Sequence, residues 1–239
     1  MSIKLENVVL ASPEQMMFII QGLRNPMNSH DRIDSKIEPE TIGDFGEEYG
    51  SVFELGNNDR SLMQRLAKAG TDHRKFMRMM PVYVRITAPL YWWKEFDTYR
   101  TGVTPNPMDI EMNSCSTMHK IQEKKFTFED FSMEHVVCIS TLNYIIDELN
   151  CWRIRYNQYD EDPEIGKNLN MSKKDIWWQM IQLLPSSYNQ TRNAMMNYEV
   201  LANIYKSRKN HKLDCWREFC KWIETLPYSE LITGKMEDV

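Results

Sequence analysis

Ala88-Pro89-Leu90-Tyr91-Trp92-Trp93-Lys94-Glu95-Phe96-Asp97-Thr98-Tyr99-Arg100 is an aromatic stretch that reads as a helix. Thr87 stands at its cap, and Pro89 falls in the first turn, where a missing N–H costs nothing. On helical spacing Tyr91, Lys94, Glu95 and Thr98 share one side, and Trp92, Phe96 and Tyr99 share another. Two readings fit this pattern. One is an aromatic core stripe with a polar outer face. The other is a platform on which a flavin or a base stacks while Lys94 and Arg100 take phosphate charge. Just before it, residues 75–86 alternate loosely through Phe76, Met79, Val82, Val84 and Ile86 and predict a strand, with Pro81 marking an edge or a bulge. After it, Pro105 and Pro107 mark a loop. Asn113-Ser114-Cys115-Ser116-Thr117-Met118-His119 follows, and its small hydroxyl residues suit either a turn or contact with a phosphate or base edge.

Working outward, residues 3–10 alternate as a strand. Ser12-Pro13-Glu14-Gln15 opens a helix over 13–24, with Ser12 as N-cap and Gln15 closing a capping box. From about Asn25 to Asn58 the chain is polar, acidic and dotted with glycine, and reads as a long connection, either mobile or a partner-contacting arm. Asn58 or Asp59 then caps a helix that Gly70 stops. Toward the C-terminus, 135–158 is a long amphipathic pattern broken at Asp160-Glu161-Asp162-Pro163. Ser172 caps a helix that Pro185 limits, and further helices are predicted near 188–207 and 212–225. The expected class is α+β, with strands at the front and a helix-rich C-terminal half, in a single domain over 1–239.

Composition narrows the function classes. In 239 residues, 29 Lys and Arg stand against 34 Asp and Glu, a net charge of −5. A sequence pI near 5.6 argues against a globally basic nucleic-acid binder. No run nears the roughly 18 apolar residues of a membrane span, and Glu6 and Asn7 interrupt anything like a signal-peptide core. The five cysteines (Cys115, Cys138, Cys151, Cys215 and Cys220) are scattered without a C-x-x-C, which predicts reduced thiols in the cytoplasm and no metal site. The five histidines show no ligand spacing. Nine glycines leave little room for a phosphate loop, and G-x-S-x-G and H-E-x-x-H are absent. The 17 methionines suit adaptable packing.

The order of these segments resembles the flavin-dependent thymidylate synthases. Leu66-Ala67-Lys68-Ala69-Gly70 matches that family's turn after its second helix, and Ala88-Pro89 matches the opening of the helix that leads into its Arg-His-Arg signature. Counting from Ala88, the signature falls on Thr98-Tyr99-Arg100, of which Arg100 alone matches. The 113–119 loop resembles the family's substrate loop, with Ser116 as its serine and Met118 in place of its arginine. In the C-terminal half, Asn197 lies twelve residues after Pro185 and Arg208 eleven further on, both family intervals. Ile181 and Glu199 stand where the family has arginines, and His211 and Trp216 echo a later His and Trp.

The resemblance implies a small, mostly antiparallel sheet with helices, FAD as cofactor, and folate and NADPH as possible co-substrates. It implies a pyrimidine deoxynucleotide, dUMP, as the substrate that is methylated or otherwise modified at C5. It also implies a homotetramer with no nucleic-acid or membrane partner. It assigns Arg100 and Ser116 to catalysis, and His73, Tyr99, Arg100, Asn197 and Asn203 to the cofactor. Ser114, Ser116 and Arg208 are assigned to the substrate. The missing arginines leave Arg78, Lys94, Lys120 and Lys206 as candidate substitutes. The alternative is a homologue that binds nucleotide or flavin, or serves structurally as a homo-oligomer, without the reaction.

Overall fold

The computed structural model describes residues 3–42, 47–99, 110–114, 119–136 and 138–235. In chain order the elements are β1 (Lys4–Leu10), α1 (Pro13–Arg24), β2 (Lys36–Ile42), β3 (Glu47–Glu54), α2 (Asn57–Lys68), α3 (Lys75–Arg78), β4 (Pro81–Pro89) and α4 (Leu90–Phe96). They continue with β5 (Glu111–Ser114), α5 (Ile139–Gln158), α6 (Pro163–Leu169), α7 (Lys173–Leu183), β6 (Asn189–Asn197), α8 (Tyr198–Arg208), α9 (Asp214–Glu224) and α10 (Glu230–Thr233). Four strands form one sheet in the order β1-β4-β6-β5, and β2 and β3 pair as a separate antiparallel hairpin. The class is α+β, as expected. No helix among the described residues is long and apolar enough to cross a membrane.

Local chemistry sets many of the boundaries. Ser12 Oγ accepts from the Gln15 N–H at 3.2 Å while Gln15 Oε1 accepts from the Ser12 N–H at 2.9 Å, the capping box expected for α1. Ser172 and Asp175 form a second box at the start of α7. Gly70 follows α2 at φ +102°, a conformation that disfavours any residue with a Cβ. The cap of α2 differs from expectation. Gly56 is its N-cap residue, and the Asp34 carboxylate does the capping from outside, accepting from Asn58 N–H at 2.8 Å and Asp59 N–H at 3.0 Å. A Cβ on Gly56 would lie 2.2–2.4 Å from Asp34 atoms, so only glycine permits this approach.

Three other sequence expectations are corrected. The 75–86 strand is α3 followed by β4, so Pro81 opens the strand, where its missing N–H breaks no ladder. Thr87 lies inside β4, its hydroxyl 2.7 Å from that of Thr191, and Pro89 is the N-cap residue of α4. Residues 189–197, expected to begin a helix, are the strand β6. The 25–58 segment holds two short 3-10 turns and the β2–β3 hairpin, whose register slips between Glu40 and Thr41.

The chain gathers into two compact units, with β4 and β6 each passing from one to the other. The first comprises Met1–Lys4, Ile86–Thr98 and Asn113–Asn193. Its core is Ile121, Phe126, Phe131, Leu142, Ile146, Leu149 and Met180, with Ile181 and Leu184 packed against it. Asn150 is buried there, its amide donating to Phe126 O and accepting from Phe126 N–H, both at 2.9 Å. Trp92, Trp93 and Phe96 are fully buried. Trp92 stacks on Phe96 at 4.7 Å between centroids, and Trp93 donates from Nε1 to Gln190 O at 2.9 Å. The second unit comprises Leu5–Arg85, Tyr99–Met112 and Ala194–Val239. There α8 packs with α3, α9 and α10, and the Arg24–Asp59 ion pair is buried beside Ser35.

The thiols separate sharply. Cys138, exposed just before α5, accepts from the Thr141 hydroxyl at 2.9 Å, and this contact with that of Ser140 lowers its pKa to about 7. Burial pushes the Cys220 thiol up to about 12. Iodoacetamide is therefore expected to alkylate Cys138 first, with a rate that rises through pH 7 as the thiolate forms. Cys220 should stay unmodified until the chain unfolds. Peptide mass mapping across a pH series measures both.

Candidate functional site

Helix α8 carries the candidate site residues Asn203 and Arg208, and it follows β6 without a break. Its N-cap is Asn197, whose Oδ1 accepts from the Val200 N–H at 3.0 Å. That bond satisfies an orphan donor of the first turn, so this side chain fixes the start of the helix. Two residues on, Glu199 is only 1% exposed and forms an ion pair with Arg78, while Arg74 Nε lies 4.0 Å away. A buried carboxylate needs such partners. Arg78, a candidate substitute cation, is thereby engaged.

Asn203, further along α8, lines a cleft of about 250 Å³. Gln64, Ala67 and Lys68 of α2 form one wall at helical i, i+3, i+4 spacing. Arg74, Lys206, Lys209 and Lys235 add positive charge. The carboxylate in the lining, Glu230, is ion-paired to Arg60 at 2.7 Å. Lys235 is paired with Glu224 at 2.9 Å. Among the described residues, Lys68 and Lys206 have no carboxylate partner. The cleft is thus an anion-attracting recess with two side-chain amides, those of Gln64 and Asn203, for orientation.

At the end of α8, Arg208 Nε donates to the Tyr99 hydroxyl at 2.8 Å. The Arg208 guanidinium lies 4.8 Å from the Trp216 ring and 5.6 Å from the Tyr99 ring. Tyr99 and Trp216 meet edge-on at 5.9 Å. His211 completes the cluster, its Nδ1 accepting from the Leu213 N–H at 3.2 Å and its ring 6.3 Å from that of Trp216. Two candidate site residues 109 positions apart are thus in direct contact. The aromatic rings hold the guanidinium plane in a fixed direction.

The remaining candidates are placed less favourably. His73 is exposed in the turn after Gly70, its N–H donating to Gly70 O at 3.1 Å, and it is not among the cleft residues. Ser114, in the other unit, is exposed at the end of β5. Arg100, Ser116 and Met118 lie outside the described residues. Lys120 is on the surface, paired with Glu123, and Lys94 is exposed. Ile181, where the resembled family has an arginine, packs on an apolar core. The planar-ligand platform on α4 is overturned, because Trp92, Trp93 and Phe96 bury their faces against each other and leave none for a ligand. Sequence reasoning missed Arg74 and Lys209 as cleft residues and read Lys68 only as part of a turn. The signal was the cationic i, i+3 pair of Lys206 on α8 and Lys209 at its C-cap, which line the same cleft as Gln64 and Lys68.

No protein-family model and no curated protein sequence matches the chain. Its structure is similar to thymidylate synthase X from Helicobacter pylori with FAD and dUMP, at 14% identity and a TM-score of 0.60, over 98% of this chain and 96% of that one. A second structure of the Helicobacter pylori flavin-dependent enzyme, complexed with FAD and dUMP, matches at 14% identity and a TM-score of 0.59, over 99% and 100% of the two chains. The UMP/dUMP methylase PolB from Streptomyces cacaoi, bound with 5-Br dUMP, matches at 12% identity and a TM-score of 0.52, over 97% and 94%. Nearly whole-length superposition on these proteins gives the chain the fold of the flavin-dependent thymidylate synthases.

Proposed function

We propose that this protein binds a flavin dinucleotide and a pyrimidine deoxynucleotide and modifies that nucleotide at C5. The observation that carries this reading is Arg208, held by the Tyr99 hydroxyl and the Trp216 ring on the helix whose Asn203 faces the cationic cleft. The residues present fit such ligands. Lys68 and Lys206 suit phosphate oxygens, the Asn203 amide suits the polar edge of a ring, and a pre-oriented guanidinium suits a phosphate or a pyrimidine carbonyl. Flavin, when bound, would supply the redox chemistry, with folate and NADPH as possible co-substrates. The chain's own part is to hold and orient its ligands and to neutralise their phosphates. The same reading takes the protein as a homo-oligomer, a tetramer, in which copies share each site; the cleft of one chain, about 250 Å³, is smaller than the roughly 300–1,000 Å³ of complete ligand sites.

A second reading, binding without turnover, is favoured by Glu199. Where the resembled family has an arginine, this chain has a buried carboxylate engaged by Arg78. An absorbance spectrum decides first. Flavin bands that co-elute with the protein after addition of FAD, and that change on adding dUMP, support both readings, and turnover separates them. Arg208→Ala is expected to weaken dUMP binding about 10- to 150-fold, the loss of roughly 1.5–3 kcal/mol from a charged hydrogen bond. A colourless protein indifferent to FAD, or unchanged dUMP affinity in Arg208→Ala, overturns the proposal.

A further inference from the structure

Glu199 sits in the first turn of α8 with its side chain only 1% exposed, and two guanidinium groups reach it from α3. Arg78 Nε donates to Glu199 Oε2, and Arg74 Nε lies 4.0 Å from Oε1. Arg74 is the N-cap residue of α3 and Arg78 its last residue, so i, i+4 spacing puts both on one side. Thr71 steadies each of them. Arg78 Nη2 donates to Thr71 O at 3.2 Å, and Arg74 Nη2 donates to Thr71 Oγ1 at 3.4 Å.

The two arginines are not equivalent. Arg74 lines the Asn203 cleft, whereas neither Arg78 nor Glu199 is part of its lining. Arg74 Nε is buried and makes no hydrogen bond among the described residues, so the Glu199 charge is what fixes that end of the side chain. With Nε turned to Glu199 and Nη2 to Thr71, the Nη1 donors are left for a ligand. Charge points the same way. One buried carboxylate answers one guanidinium, and Arg78 is the closer partner. The surplus positive charge therefore falls on Arg74, in the same lining as Lys68 and Lys206. Asn203 and Lys206 follow Glu199 at i+4 and i+7, which places the buried anchor and these cleft residues on one side of α8.

We infer that Glu199 is a positioning residue for Arg74, and that Arg74 grips a phosphate of the ligand in this cleft. Arg78 shares the carboxylate and does not touch the ligand. The inference rests on the reading of the cleft as a phosphate-binding recess and says which cation does the binding. A guanidinium held from behind by a buried carboxylate keeps its planar fork in one direction, and that suits phosphate oxygens better than a free lysine does.

Isothermal titration of the full chain with FAD, riboflavin and ADP tests it, since riboflavin lacks the phosphates and ADP lacks the flavin. Arg74→Gln is expected to weaken FAD and ADP about tenfold or more, to leave riboflavin affinity unchanged, and to flatten the salt dependence of FAD binding. Arg74→Lys keeps the charge and should recover part of the loss. Glu199→Gln should lower FAD and ADP affinity in the same phosphate-specific way, with Glu199→Asp in its place if the amide fails to fold by circular dichroism. Arg78→Gln should lower the melting temperature and leave both affinities unchanged. If FAD binds, the inference is overturned by equal affinity in Arg74→Gln or in the Glu199 variant, or by an equal loss in Arg78→Gln, and the flavin reading stands. Arg74-dependent binding of ADP by a protein that ignores FAD supports the inference and overturns the flavin reading. Indifference to both FAD and ADP overturns both.

Discussion

Asp59→Ala is expected to destabilise the protein by about 3–5 kcal/mol, the cost of leaving a buried partner charge uncompensated. The Asp59 side chain is fully buried and that of Arg24 is 5% exposed. Asp59 Oδ1 accepts from Arg24 Nε at 2.8 Å and Nη2 at 2.6 Å, while Oδ2 accepts from Ser35 Oγ at 2.7 Å and from the Ser35 and Asp34 N–H groups at 3.0 and 3.1 Å. One carboxylate thus ties α1, α2 and the approach to β2 together. Alanine strands a guanidinium and three further donors at once. Arg24→Met with Asp59→Leu should recover part of the loss, since no buried charge remains, though the bond from Arg24 to Arg32 O is still missing. Burial alone would raise the Asp59 pKa, but the hydrogen bonds from Ser35, Arg24 and the two N–H groups outweigh it and hold it below the ordinary value. A depressed folded pKa means this stabilisation is fully present above the unfolded aspartate value, near pH 4, and is lost as pH falls through the folded one. Asp59→Asn should therefore start less stable at pH 7 and lose less on acidification. Urea titrations at pH 7 and pH 3 measure both, and equal acid sensitivity in the two proteins would show that Asp59 is not the group responsible.

Trp92→Ala is expected to cost a similar amount, about 3–5 kcal/mol, by leaving a cavity in the other unit. The ring is fully buried, stacked on Phe96 at 4.7 Å and edge-on to Trp93 at 4.9 Å. Its neighbours are fixed in turn. Arg192 lies 4.2 Å over the Trp93 ring and pairs with Asp97 at 2.8 Å, and the N–H groups of Leu90 and Tyr91 donate to Tyr188 O and Ser186 O. A close-packed site of this kind relaxes poorly around a void. Trp92→Phe retains much of the volume and should cost clearly less. Thermal unfolding followed by near-ultraviolet circular dichroism reads the difference. A ligand platform would show the opposite pattern, with stability nearly unchanged and affinity lost.

The candidate site was legible in part. The intervals Pro185–Asn197–Arg208 pointed to α8 as a candidate helix, and Arg208 at its end meets Tyr99. The same intervals could not say that Asn197 serves as a helix cap or that Glu199 is held by Arg78, because those roles depend on atoms brought in by α3 and on the helix start itself. The aromatic spacing 92, 96, 99 fitted both a core and a platform, because periodicity shows which residues share a face and not what covers it.

What the sequence by itself determined is local. Ser12 with Gln15 and Ser172 with Asp175 start α1 and α7, Gly70 follows the end of α2, and the alternation of 82–88 makes β4, since each depends on groups within a few residues. The tertiary structure alone decided the rest. Asn-Gln-Thr-Arg-Asn-Ala-Met-Met-Asn over 189–197 has no strong strand propensity and becomes β6 because it is flanked by β4 and β5 in the sheet. Asp59 looked like a helix cap and became a buried anchor because Arg24, 35 residues earlier, reaches it. Backbone pairing and charge burial are settled by partners distant in sequence, and only the folded chain brings those partners together.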